Sequence, residues 1–145
     1  MEKFESPNNS IESEPAPLVL SGPVIIQDGK ILLVKTYKEK DGERTPSEVW
    51  LIPGGKVEEG ENLEETCTRE AQEELGVGVT LGAQAETITV QRPDGKGMAI
   101  LHHFFATLNN DLSELPSGTH SAEWFDLNEL PDNVAPNIKE LAKTL

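Results

Sequence analysis

Three carboxylates, Glu70, Glu73 and Glu74, stand at i, i+3 and i+4, a spacing that gathers side chains onto one patch when the segment is helical. They close a run from Glu58 to Glu74 that holds eight of the chain's 26 acidic residues and Arg69 as its one basic residue. Like charges packed this closely repel. The repulsion is relieved either by water around an exposed face or by a cation held among the oxygens. Glu74 tips the balance toward the cation. At about 100° per residue it lies roughly 20° from Leu63 on a helical wheel, at the edge of the apolar stripe formed by Leu63, Cys67, Ala71 and Leu75. A carboxylate at that edge is partly desolvated, and a hard divalent ion such as Mg²⁺ takes oxygen ligands of this kind while keeping several waters. Arg69 is placed to pair with Glu73 one turn on, or to orient Glu70.

The elements that must position these groups follow from local signals. Asn62 and Glu65 form a capping box and Gly76 a stop, so the spacing predicts a helix over 63–75. Cys67 falls on the buried stripe and reads as a core residue rather than a nucleophile. Before the helix, "VWLIP" is a short buried strand, and Pro53, Gly54 and Gly55 let the backbone turn tightly and present a carbonyl oxygen at close range. Upstream, "PVIIQDGKILLVK" is a hairpin turning at Asp28-Gly29, followed by a polar loop over 36–48. Downstream, "AETITVQ" and "MAILHHFFATL" flank the turn "RPDGKG", "AEWFDL" is a last strand, and "PNIKELAKTL" is a closing helix with Pro136 in its first turn. His102 and His103, adjacent on a strand, point to opposite faces; one of them packs.

The whole chain sets bounds on function. Its 145 residues fit one domain over 18–145, preceded by a polar, Ser-, Pro- and Glu-rich segment over 1–17 that reads as a flexible tail. A formal net charge of -14 argues against charge-driven binding of a nucleic acid polymer or an anionic membrane. A small anionic ligand would need a cation to mediate. No apolar run approaches the roughly 20 residues of a membrane-spanning helix. One cysteine and no signal-peptide pattern at the start read as a cytoplasmic protein.

Gly55, Glu61 and the stretch "REAQEELGV" from Arg69 to Val77 together resemble the Nudix box, GX5EX7REUXEEXGU with U apolar. Every fixed position matches, with Ala71 and Val77 as U. "VWLIPGG" and "AEWFDLNELP" are similar to the family's flanking segments, so the resemblance covers 18–145. It implies an α/β fold, a single-domain α/β/α sandwich with a mixed sheet, the box helix on one side and the closing helix on the other. It implies a Mg²⁺-dependent pyrophosphohydrolase, with Mn²⁺ possible, cleaving a nucleoside diphosphate linked to another moiety, with ADP-ribose-type substrates slightly favoured. The alternatives are a nucleoside triphosphate pyrophosphatase and, in another class, a nucleotide-sensing module without turnover. The partner implied is a small-molecule nucleotide, bound by a monomer or homodimer.

Residue by residue, Glu73 and Glu74 match the main metal ligands, Glu70 a ligand or the water-activating base, and Gly55 the carbonyl ligand. Arg69 matches the residue that orients the catalytic glutamate, and Glu61 a structural position. Outside the box, Glu86, Glu114, His120 and Glu123 are candidates for the base or a further ligand, each against an ordinary surface role. Tyr37 and Arg44 are expected to grip the substrate's base or phosphate, and Trp50 and Phe105 to pack in the core.

Overall fold

The computed structural model describes residues 16–145, so residues 1–15 of the expected tail lie outside the described residues. Along the chain run β1 (Leu18–Gln27), β2 (Lys30–Lys40), β3 (Glu43–Pro46), β4 (Gly55–Lys56), α1 (Leu63–Leu75), β5 (Val79–Gln84), β6 (Ile88–Gln91), β7 (Met98–Leu108), β8 (Thr119–Asp126) and α2 (Pro136–Ala142). The sheet is mixed. β1 lies parallel to β7, from Leu18 opposite Ala99 to Ile25 opposite Ala106, while the other pairings are antiparallel.

A parallel pair needs cover on both faces, and β1 has it. Val24 points into a core with Ile31, Leu33, Trp50, Ile52 and the α2 residues Ile138 and Leu141. Its neighbour Ile25 points the other way, into a core with Leu32, Val34, Ala106 and the α1 residues Ala71 and Leu75. The strand period of two thus feeds one helix on each side, the expected α/β/α sandwich in a single domain. No helix among the described residues is long and apolar enough to cross a membrane.

α1 begins where the capping box put it. Asn62 Oδ1 accepts from the Glu65 N–H at 2.7 Å, and Glu65 Oε1 accepts from the Asn62 N–H at 2.9 Å. Gly76 ends the helix in the left-handed region at φ 76°. Asn62→Ala is expected to cost about 1 kcal/mol of stability and Asn62→Gly only a few tenths, read as shifts of the urea midpoint. Cys67, Ala71 and Leu75 are buried as expected, together with Thr66, whereas Leu63 is half-buried. Burial pushes the Cys67 thiol up to about 12, which makes it an inert packing group.

Four local readings need correction. The polar loop expected over 36–48 is mostly a hairpin: β2 continues to Lys40 and pairs with β3 through Asp41 and Gly42, at φ 56° and 78°. Its residues are largely exposed, so it carries no alternation of apolar and polar positions. "VWLIP" is not a regular strand; it makes single bridges, Leu51 to Val34 and Trp50 to Val134, before Pro53 turns the chain away. β5 was not expected, since Gly82 and its mostly exposed residues hide the strand. β8 begins at Thr119, ahead of the expected "AEWFDL".

Candidate active site

The site is built around the glycine corner. β4 pairs with β1, Gly55 opposite Ser21 and Lys56 opposite Leu20. The corner lies so close to β1 that a Cβ on Gly22 would overlap the Pro53 carbonyl. On its other side a Cβ on Gly55 would overlap the Glu70 carboxylate. The Gly54 N–H reaches Glu74 Oε1 at 3.4 Å, and Ser21 Oγ donates to the Leu63 carbonyl at 2.7 Å, tying the start of α1 to β1. Backbone without side chains is what lets the acidic face of α1 press against the corner.

Arg69 organises the charges. Its guanidinium makes five hydrogen bonds: Nε and Nη2 to the two Glu61 oxygens at 2.6 and 3.0 Å, Nη1 to Glu70 Oε2 at 2.9 Å and Glu73 Oε2 at 3.1 Å, and Nη2 to the Lys56 carbonyl at 3.1 Å. A planar fork of donors suits this set, and a lysine does not. The Arg69 bond, aided by the Thr66 hydroxyl and the Glu58 N–H, pulls the Glu61 carboxyl down to about 2. Glu61 in turn does most to hold the guanidinium above its ordinary range. The sequence offered Glu70 and Glu73 as partners of Arg69; it did not reveal that Glu61, before the helix, takes two of its bonds.

Glu74 is the perturbed group. Burial first, then the hydrogen bond and charge of the neighbouring Glu70 carboxylate, push its carboxyl up to about 9, against a smaller opposite pull from the Gly54 N–H. The Glu70 side chain is 12% exposed and that of Glu73 56%, so Glu70 and Glu74 converge while Glu73 turns outward onto Arg69. No three His, Cys, Asp or Glu side chains among the described residues form a finished cage. The donor set nevertheless fits a small hard cation: two half-buried carboxyl groups crowd each other beside a bare glycine backbone, and a divalent ion relieves that crowding by replacing a proton.

Across the corner, on the α2 side of the sheet, lies a cavity of about 170 Å³. Leu20, Ile52 and Leu101 give it apolar walls, and His103 and Asn137 give it polar ones. Gly54 and Gly55 line it as well, and Gly55 also abuts the Glu70 carboxylate, so one corner stands between an apolar chamber and the carboxylates.

Comparison with known proteins agrees with this layout. The model of the NUDIX domain matches residues 19–145. The chain belongs to the Nudix family. It is 36% identical over 114 residues to the NAD-capped RNA hydrolase NudC of Vibrio atlanticus, a match covering 75% of this chain and 37% of that relative. To the putative 8-oxo-dGTP diphosphatase of Bacillus subtilis it is 33% identical, covering 80% of this chain and 70% of the relative. To the ADP-ribose pyrophosphatase of Methanocaldococcus jannaschii it is 31% identical, covering 79% and 65%. By name these are a hydrolase, a diphosphatase and a pyrophosphatase. The crystal structure of a MutT NUDIX hydrolase from Burkholderia pseudomallei superposes with a TM-score of 0.77 over 90% of this chain and 99% of that one, at 22% identity, which shows the shared Nudix fold.

Within the Nudix domain the remaining candidates scatter. Tyr37 and Arg44 come together, the guanidinium 3.9 Å from the ring centre, with Arg44 Nη2 also donating to the Ser117 carbonyl and His120 edge-on to Tyr37. They neighbour the C-terminal end of α1, where Thr119 Oγ1 donates to the Glu74 carbonyl at 2.7 Å, and they do not line the cavity. Glu86, Glu114, His120 and Glu123 are exposed, and none has a side-chain hydrogen bond to a box residue among the described residues. Glu86 takes part through its backbone carbonyl, which accepts from His103. Trp50 and Phe105 pack in the α2-side core as expected. Of the two histidines, His103 is buried, while His102 lies on the opposite face near Gln84 and Thr87.

Proposed function

We propose that this chain is a Mg²⁺- or Mn²⁺-dependent pyrophosphohydrolase that cleaves a nucleoside diphosphate linked to another moiety, with ADP-ribose-type compounds as the preferred class. The observation that carries the reading is the half-buried Glu74 carboxyl crowded against Glu70 at the glycine corner, with an apolar cavity on the far side. Glu70, Glu73, Glu74 and the Gly55 carbonyl are the groups that would hold the metal. Bound there, it would neutralise the diphosphate against a chain of charge -14 and lower the pKa of water. Glu70, one oxygen fixed by Arg69, is oriented to take the proton of the attacking water. Attack at phosphorus breaks the anhydride P–O bond and yields two phosphomonoesters. The cavity takes the nucleoside half, and the stacked Tyr37 and Arg44 are offered as a grip for the distal moiety. The ADP-ribose pyrophosphatase among the relatives supports the preferred class, and the 8-oxo-dGTP diphosphatase supports nucleoside triphosphates as the second.

The test is phosphomonoester release with Mg²⁺ across ADP-ribose, dinucleotides, sugar nucleotides and nucleoside triphosphates. Turnover is expected to be highest with ADP-ribose and to vanish with a chelator. Calorimetric binding without turnover on the whole panel would instead favour a sensing module. Gly55→Ala, by driving a methyl group into the Glu70 carboxylate, is expected to lower turnover on the order of 100-fold, since misplacement of about 1 Å at a reacting centre has that effect.

A further inference from the structure

Two buried polar side chains in the cavity constrain each other. His103 on β7 is 2% exposed and Asn137, the second residue of α2, is 7% exposed. His103 Nδ1 lies 2.8 Å from the Glu86 carbonyl, and its Nε2 lies 3.4 Å from Asn137 Nδ2. A carbonyl oxygen only accepts, so Nδ1 carries a proton. Burial pushes the imidazole pKa down, which leaves one ring proton and a lone pair on Nε2. That lone pair requires a donor. The opposite amide orientation of Asn137 would set two lone pairs against each other. Asn137 Oδ1 and the second N–H then have no partner among the described residues, and a buried amide left half-paired calls for a ligand or water to complete it.

We infer that His103 is a positioning residue: its Nε2 lone pair fixes the Asn137 amide so that the carbonyl oxygen and one N–H are left to read the edge of a nucleobase in the cavity. This rests on the reading of the cavity as the seat of the nucleoside half. The ligand class follows from the walls and the amide together. A chamber of about 170 Å³ between Leu20, Ile52 and Leu101 accepts a flat ring system, as apolar cavities of roughly 150 Å³ accept benzene. An amide of fixed orientation discriminates among bases, whose donors and acceptors are fixed. It discriminates poorly among sugar hydroxyls, which rotate to suit.

The experiment titrates AMP, GMP, CMP and UMP into the full chain by calorimetry. The wild type is expected to favour one base over the weakest by roughly tenfold, the scale of one bidentate contact. His103→Phe should compress that ratio to within about threefold while keeping residual binding. His103→Gln, whose side-chain oxygen also accepts, should restore most of it. Asn137→Ala, which leaves the histidine in place, should flatten the same ratio and serves if His103→Phe does not fold. Long-range ¹H–¹⁵N correlation should find the ring proton on Nδ1. A histidine that merely anchors α2 to β7 would lower the melting temperature and leave the base ratio unchanged; that result, a flat ratio in the wild type, or a proton on Nε2 overturns the inference. Base-selective binding lost in His103→Phe without any hydrolysis would sink the hydrolase reading alone, whereas hydrolysis with flat base ratios would sink only this one.

Discussion

Glu74→Gln is expected to abolish most turnover and to make the metal-free chain more stable at pH 8. Turnover should fall on the order of 10²- to 10³-fold, the loss seen when one group that stabilises transition-state charge is removed. The stability gain has a separate cause. The folded chain holds the Glu74 carboxyl near 9, against 4.5 for the ordinary group, so the native state binds this proton more tightly than the unfolded state does. The resulting stabilisation is fully present below about 4.5 and is lost as the pH rises through about 9. Glutamine keeps the shape and has no proton to lose. In chelator, the wild-type melting temperature should decline between pH 5 and 9 through this group, and the variant should lack that decline. Millimolar Mg²⁺ should raise the wild-type melting temperature at pH 8 and leave the variant unmoved. Full activity in Glu74→Gln would contradict the assignment.

Arg69→Lys is the second large effect. The charge is conserved, yet an ammonium has three donors on a flexible stem and cannot span Glu61, Glu70, Glu73 and the Lys56 carbonyl at once. Glu70 loses its orientation, and turnover should drop roughly 10- to 100-fold, as when a residue that holds a metal ligand is replaced. Stability should shift at the acid end. Arg69 holds Glu61 near 2 against an ordinary 4.5, so the wild-type pair stabilises above about 4.5 and fails as the pH falls through about 2. In the variant the acid limb should move to higher pH, measured as urea midpoints from pH 2 to 7. An unchanged acid limb together with unchanged turnover would remove Arg69 from the site.

What the sequence disclosed was local. The capping box, the glycine corner and the edge position of Glu74 each depend on residues within a turn or two, where spacing alone fixes geometry. The sandwich was legible through the matched box and its flanks, with apolar strand signals to support it. Glu61 as the chief partner of Arg69 was not, because the loop between β4 and α1 must fold back before the two meet. The β2–β3 hairpin was hidden since its exposed residues carry no alternation, although Asp41-Gly42 repeats the turn signal of Asp28-Gly29. Spacing grouped Glu73 with Glu70 and Glu74, yet Arg69 draws it outward. His103 and Asn137 are 34 residues apart and meet only because α2 closes over the sheet.

The most direct test of a divalent ion held at the glycine corner is anomalous scattering from crystals grown with MnCl₂. The expected result is a peak roughly 2 to 2.5 Å from a Glu74 carboxylate oxygen and from the Gly55 carbonyl. Well-ordered crystals in saturating Mn²⁺ with no peak there, and with Glu70 and Glu74 still against each other, would contradict the account.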